Sequence, residues 1–245
     1  MTTASPSALP RILPSGDMAL VVEFGRSIDP AINRQVLNLD RNVAREAIGG
    51  VLETVPTYRS LLVHYDPVRI GYAALSQKLL ALAKLPVPAE AVVRRWRVPV
   101  VYGGEYGLDL DDVARAHNIS TSDVIAKHSG SEYRVAMIGF TPGFAYLGGL
   151  DPSIATPRRE SPRTATPPGT ISIGGVQACV QCLAAPSGWH LLGRTPVRTF
   201  HPHRDPVFLM EPGDAVHFHA IDAKEFDALN RAAERGDIVA ELIAS

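Results

Sequence analysis

The sequence predicts an α+β protein in two parts: a small α/β domain over residues 1–90, followed by a β-rich domain over residues 91–245. Three observations carry this reading. In the first part, runs with helical spacing alternate with short strand-like runs. A proline-bearing stretch, "LPVPAEAVVRRWRVPVVYGG", then changes the texture and puts the boundary between Pro86 and Arg95. From Tyr133 onward the chain is a succession of short extended runs broken by proline and glycine, the pattern of an antiparallel barrel or sandwich rather than of alternating parallel units.

Element by element, "MALVVEFG" (Met18 to Gly25) reads as a first strand. Asp29 followed by Pro30 caps and opens a helix, in which Ile32, Val36, Leu39, Val43 and Ala47 recur at helical spacing until Gly49 and Gly50 stop it. "VLETVP" and "SLLVHYD" supply two strands, and a second helix carries Leu75, Leu79 and Leu82 on one face. A further strand is expected to complete this small domain. Beyond the boundary, two short helices are expected at Leu110–Ala116 and Ser122–His128, then strands in "YRVAMIGF", "TISIGGVQACVQCLAA", "WHLLG", "VFLM" and "AVHFHAI". Asp222 and Glu225 form the Asp-x-x-Glu pattern of a capping box, and Phe226 with Leu229 give the last helix an apolar face.

Composition narrows the function classes. Apolar residues make up 46% of the chain and charged ones 20%, as in globular proteins with a real core. Twenty-four basic side chains oppose twenty-five acidic ones, so no global field draws nucleic acid or an anionic membrane. No run approaches membrane-spanning length, and "MTTASPSALP" reads as a loose leader without the parts of a signal peptide, so a cytoplasmic protein is expected. Cys179 and Cys182 form a lone CxxC within a strand-like run; without a helix start to hold a thiolate or further ligands for zinc, they read as ordinary thiols.

The unusual residues gather between Phe140 and Arg204. "MIGFTPGFAYLGGLDPSIATPRRE" holds more glycine and proline than a buried helix or strand tolerates, so it is an elaborate loop or a site. Gly174 and Gly175 fit either close approach of a ligand or a bulge; no Walker loop and no GxGxxG is present. Arg158, Arg159 and Arg163 lie in "TPRRESPRTATPPG", either as planar forks for carboxylate or phosphate or as a solvated crossover. Arg163, just before the turn into "PPGTISIGG", is the preferred functional arginine. Of the later histidines, His190 in "GWHLLGRTP" is the candidate for proton transfer or polar recognition, whereas His201, His203, His217 and His219 show no convergence on a metal. No nucleophile motif is present, so an enzymatic role requires part of the chemistry to lie elsewhere.

Four segments in the same order, "GFTPGFAYLGGLD", "TPRRESPRTATPPGTISIGG", "GWHLLGRTP" and "FLMEPGDAVHFHAI", resemble the KipI-like family, which includes B subunits of bacterial ATP-dependent 5-oxoprolinases and proteins described as allophanate hydrolase subunit 1. The resemblance is dense from about Arg97 to Phe226. It implies a small α/β N-terminal domain and a cyclophilin-like β-barrel. It also implies action with partner subunits A and C in opening the lactam of 5-oxo-L-proline to L-glutamate, with ATP and magnesium bound by the assembled complex. Other relatives are modules of carboxyltransferases acting on urea or amides, or a non-catalytic inhibitor of a histidine kinase. By position, the family pattern selects Phe140, Pro142, Gly143 and Phe144 in one loop, Arg158 and Arg163 for anion contact, Gly174, Gly175 and Gln177 in another, and His190 and Arg194; Arg163 and His190 are the expected catalytic pair. The chain departs from the family at "GVQACVQC" and "APSGW", where Gln181 and Cys182 replace a tyrosine and a proline and Ser187 replaces a glycine.

Overall fold

Helix α1 (Pro30–Glu46) begins where Asp29, in extended conformation, accepts a hydrogen bond from the Ala31 amide and Pro30 takes the first helical position. There the missing proline N–H is no loss. The helix ends one turn before the glycine pair, because Ala47 itself adopts the left-handed conformation at φ 47°. The computed structural model describes residues 10–88 and 94–244, and the chain divides into two compact units after residue 91. The leader at residues 1–9 and part of the link between Pro86 and Arg95 lie outside the described residues.

The first unit runs β1 (Arg11–Pro14), β2 (Ala19–Glu23), α1, β3 (Val51–Pro56), β4 (Ser60–Tyr65) and α2 (Tyr72–Ala83). Its antiparallel sheet has the order β1-β2-β4-β3. Leu20 and Val22 of β2 and Leu61 and Val63 of β4 share one core with Val36, Leu39 and Val43 of α1 and Leu75 and Leu79 of α2. Alternating sheet residues all point to one face, so both helices cover that same face. The sequence pattern omits β1 and supplies a closing strand after α2. The strand that follows, β5 (Arg95–Tyr102), pairs within the second unit's sheet. β1 is an edge strand of four residues whose pairing to β2 is its defining feature, and nothing in "RILP" alone announces it.

The second unit continues with α3 (Leu110–Ala116), α4 (Thr121–Gly130), β6 (Tyr133–Ile138), β7 (Ala145–Gly148), a 3-10 turn (Pro152–Ile154), β8 (Arg163–Thr166), β9 (Thr170–Gly174), β10 (Gln177–Val180), β11 (Ala185–Ser187), β12 (His190–Arg194), β13 (Ala215–Ala220), α5 (Ala223–Glu234) and β14 (Glu241–Ala244). The order β12-β9-β10-β7-β6-β13-β5 closes on itself through β5 and β12, a barrel of seven strands following the small α/β unit, as expected. A closed ring with an odd number of strands cannot alternate direction throughout, and the β13–β5 pair is parallel. The antiparallel expectation is corrected at that one seam. β14 adds to the same edge of β5 at Arg95–Arg97 that β12 occupies at Val101 and Tyr102.

Two local readings also change. "VFLM" is not a strand; only Phe208 bridges, to Phe200. At α5 the Asp222 side chain accepts from the Glu225 amide, and Phe226 is buried. At α4 both halves of a capping box form, between Ser120 and Asp123. The barrel core includes Val98, Val100, Tyr133, Val135, Leu147, Ile171, Ile173, Leu192, Val216 and Phe218. No helix among the described residues is long and apolar enough to cross a membrane.

Candidate functional site

β9 and β10 form a hairpin in which Gly174 pairs with Gln177 across a two-residue link, Gly175 and Val176. Gly175 has φ 62°, the positive value a tight hairpin requires at its first central position. Gly174 has a different reason to be glycine: a Cβ there would lie 2.7 to 2.9 Å from the Trp189 ring. The glycine pair thus makes a tight turn and a seat for an indole.

Across this hairpin lies the arginine-rich segment, fixed by separate attachments along its length. The Gly175 amide donates to Thr156 O at 2.7 Å, and Thr156 Oγ1 lies 3.0 Å from His117 Nε2. His190 Nε2 donates to Pro157 O at 2.8 Å; a carbonyl only accepts, so this bond places the proton on Nε2. The Arg159 amide donates to Gly188 O at 2.7 Å. A loop free of the barrel ladder is thereby bound to α3, to the hairpin and to the start of β12.

Its strongest attachment is Asp109, a carboxylate with 1% side-chain exposure. Arg163 donates to both its oxygens, at 2.9 and 2.7 Å; Arg159 Nη1 donates at 2.8 Å; and the Leu191 amide donates at 2.8 Å. Burial opposes ionisation of this carboxyl, but the Arg163 hydrogen bonds, the Leu191 amide and the charges of both arginines outweigh it and hold the group below the ordinary carboxylate range.

Beside this clamp is an aromatic wall. Phe144, Cys179 and Trp189 pack in one cluster with Tyr146 against it. Ring centroids are 4.6 Å apart for Phe144 and Tyr146, 6.0 Å for Tyr146 and Trp189, and 5.7 Å for Phe144 and Phe140. The Arg158 guanidinium sits 5.5 Å from the Trp189 ring centroid, exposed and in no ion pair among the described residues. Burial and the neighbouring Cys179 raise the Tyr146 hydroxyl's pKa, while Arg158 acts against them. Burial also pushes the Cys179 thiol up to about 12, so it serves as packing beside Ser172 rather than as a nucleophile. The rings pack at steep angles with Phe144 and Trp189 buried, which leaves the exposed Phe140 ring, the half-buried Tyr146 and the Arg158 cation at the surface of this wall, groups suited to a small anion with an apolar face.

Most of the residues selected from sequence converge here. Phe140 is 66% exposed at φ 70°, a strained conformation for a bulky residue and one that presents an aromatic ring at the rim. Pro142 is exposed in the same loop; Gly143, at φ 72°, packs so closely on Phe200 that a Cβ would lie 2.6 Å from that residue's Cβ. Phe144, Arg158, Gly174, Gly175 and His190 line or support the wall, and Gln177 stands at the hairpin base opposite Gly174. Arg163 holds Asp109 rather than standing free. Arg194 lies at the other end of β12, with its guanidinium 5.5 Å from the Phe226 ring centroid and Nε donating to Pro168 O at 3.2 Å.

Gln181, one of the departures from the family pattern, is fully buried and donates to Thr166 Oγ1 at 2.8 Å and Leu183 O at 2.9 Å. Cys182 Sγ lies 3.3 Å from the Phe200 amide and 3.4 Å from its carbonyl. At these two positions the changed side chains are bonded to neighbouring strands and loops. Sequence reasoning misses Asp109, Tyr146 and Trp189 as site members. The two aromatics are visible as large residues inside the quoted motifs, whereas Asp109 directly precedes α3 and looks like a helix cap.

Comparison with known proteins agrees with this architecture. A family model described as carboxyltransferase domain, subdomain C and D, matches residues 10–210. The B subunit of 5-oxoprolinase from Bacillus subtilis (strain 168) is 36% identical over 225 residues, taking in 87% of this chain and 93% of that protein. The crystal structure of TTHA0988 superposes with a TM-score of 0.74 at 35% identity over 84% of this chain, which spans 40% of that longer protein. The K. lactis urea amidolyase, at 22% identity and a TM-score of 0.79, shares the fold over 98% of this chain and 17% of its own.

Proposed function

The chain belongs to the carboxyltransferase subdomain C and D family, in its branch of 5-oxoprolinase B subunits, and from that premise we propose that it acts as the B component of an ATP-dependent 5-oxoprolinase. The observation that carries the reading is the near end-to-end correspondence with the Bacillus subtilis protein, 87% of one chain on 93% of the other. The site's chemistry supports it. 5-Oxo-L-proline is a small lactam bearing a carboxylate, and the exposed Phe140 ring and half-buried Tyr146, backed by buried Phe144 and Trp189, offer apolar surface for the ring while Arg158 offers a cation for the acid.

An unstrained lactam resists water until its oxygen is made a better leaving group, and phosphorylation by ATP does that. Lactam oxygen attacks the γ-phosphorus and ADP departs. Water then adds at the activated carbon, the ring C–N bond opens and phosphate is released, giving glutamate. This chain's part is to bind and orient the substrate and to place positive charge beside the growing anion. Magnesium needs carboxylate or phosphate oxygens. Asp109 is already saturated by donors, and among the described residues no group of three or more His, Cys, Asp or Glu side chains converges. In this proposal the nucleotide and its metal are bound by the complex assembled with subunits A and C, as the family resemblance implies.

The test is ADP release driven by 5-oxo-L-proline, measured with this chain alone and after reconstitution with A and C subunits, with glutamate followed in parallel. Both products rising together only in the full mixture is the expected result. No turnover in a mixture whose assembly and nucleotide binding are verified overturns the reading; biotin-dependent carboxyl transfer to urea would replace it with a carboxyltransferase role.

A further inference from the structure

Asp109 stands where local rules call for a helix cap. It directly precedes α3, yet its side chain makes no bond to the first turn of that helix. Aspartate at such a position ordinarily accepts from an amide two or three residues on, and losing that bond costs stability. Here the carboxylate turns inward to Arg159, Arg163 and the Leu191 amide, while the Asp109 amide donates to Leu191 O at 3.0 Å. A local preference is overridden by longer-range bonds, as is common where function sets the geometry.

The bonds bear directly on the aromatic wall and on Arg158 beside it. Arg159 and Arg163 flank the attachment of segment 157–163, and Leu191 follows Trp189 and His190 on the opposite side of it. Arg158, next to Arg159, is carried over the Trp189 ring by the same attachment. Arg163 thus has its fork occupied and Arg159 is held through Nη1, while Arg158 faces outward.

Resting on the oxoprolinase reading, we propose that Asp109 is a positioning residue of this site: it locks segment 157–163 against β12 and occupies Arg159 and Arg163, so that Arg158 is the guanidinium presented to the substrate carboxylate. Arg163 accordingly acts through the clamp and not as a substrate ligand. Replacing Asp109 by asparagine keeps the shape but offers one acceptor oxygen and turns an NH2 group toward guanidinium donors, which it cannot bond.

Two measurements on the Asp109→Asn protein separate this inference from the function it rests on. Hydrogen exchange, read by mass spectrometry on the chain alone, is expected to speed up at least tenfold in peptides covering 157–163 while β4 is unchanged. In the reconstituted complex the KM for 5-oxo-L-proline is expected to rise about tenfold with kcat within threefold. Arg163→Gln should loosen the same peptides and raise KM in the same direction, and the double variant should fall short of the sum of the singles. Should Asp109→Asn not fold, Arg163→Gln and Arg159→Gln carry both measurements. Unchanged exchange in 157–163, a loss confined to kcat, or additive single effects overturns the positioning role. A wild-type complex inert toward 5-oxo-L-proline overturns the oxoprolinase reading, and the exchange result then decides the clamp by itself.

Discussion

Asp109 and Asp214 are built alike and hold different things. Each is a buried carboxylate, with 1% and 7% side-chain exposure, and each accepts four hydrogen bonds. Asp214 receives Arg94 Nε at 2.9 Å and Nη2 at 2.7 Å, Trp96 Nε1 at 2.9 Å and the Glu211 amide at 3.0 Å. Its side-chain partners sit at the start of β5, which the parallel ladder already joins to β13 through Ala215 with Arg95 and Val216 with Trp96. Asp109 instead holds a loop that the barrel ladder does not reach. Similar chemistry reinforces a seam of the sheet in one place and holds a loop beside the proposed binding surface in the other. Burial and ion pairing alone do not distinguish structure from function; what the bonds attach does.

The largest expected effect tests the structural half of that comparison. Asp214→Asn leaves Arg94 and the Trp96 indole facing a poorer acceptor and should lower unfolding free energy by about 2–3 kcal/mol. The figure lies below the usual cost of breaking a fully buried pair because the Arg94 side chain keeps 30% exposure to water. Denaturant unfolding of the isolated chain reads it, and the KM of the reconstituted complex should stay within twofold. A raised KM without lost stability would make the two aspartates equivalent in role. Next in size, Arg158→Ala should lower kcat/KM for 5-oxo-L-proline about tenfold, in the range of a charged hydrogen bond lost to water, with unfolding unchanged. Arg158→Lys keeps the charge but loses the planar stack and should fall between. Full activity in Arg158→Ala would remove the cation from the proposed site.

The parts of the fold legible in the sequence are those whose cause is local. Asp29, Pro30 and the 3.6-residue apolar spacing fix α1 within one stretch of chain, and glycine and proline punctuation marks most barrel strands. β1, β14 and the parallel β13–β5 seam escape because each exists through pairing with a partner that local sequence does not name. The site divides the same way. The Phe140–Phe144 loop and the Gly174–Gly175 turn announce themselves by backbone specialists, and both resolve into positive φ or close packing. Asp109 is illegible: its partners lie 50, 54 and 82 residues away, and its position before α3 suggests a cap. Arg163 stands out in its proline-rich stretch, but nothing there signals the carboxylate that occupies it.

A third buried ionisable group, His128, has no charged partner among the described residues. It is fully buried, its Nδ1 lies 2.8 Å from Tyr102 Oη, and it stacks on Phe218 with ring centroids 4.8 Å apart. Burial lowers its pKa from 6.5 to about 3. The native ring stays neutral while the unfolded chain takes up a proton near pH 6.5, so acid favours unfolding. Its contribution is fully present above pH 6.5 and is lost as the pH falls toward about 3. Asp109, held below the ordinary carboxylate range, contributes stability that is lost as the pH falls through that range and below, so of the two only His128 acts between pH 7.5 and 6. From pH 7.5 to 6, the His128 linkage should remove about 0.8 kcal/mol of stability. Burial and the Arg97 charge shift His219 in the same direction, so the readout is the difference in slope between wild type and His128→Gln, not the wild-type slope itself. A shallower slope in the variant assigns this acid sensitivity to an unpaired group inside the barrel. Equal slopes would mean that His128 takes up its proton in the folded barrel, and that a charge there finds the compensation which the two aspartates obtain from arginine.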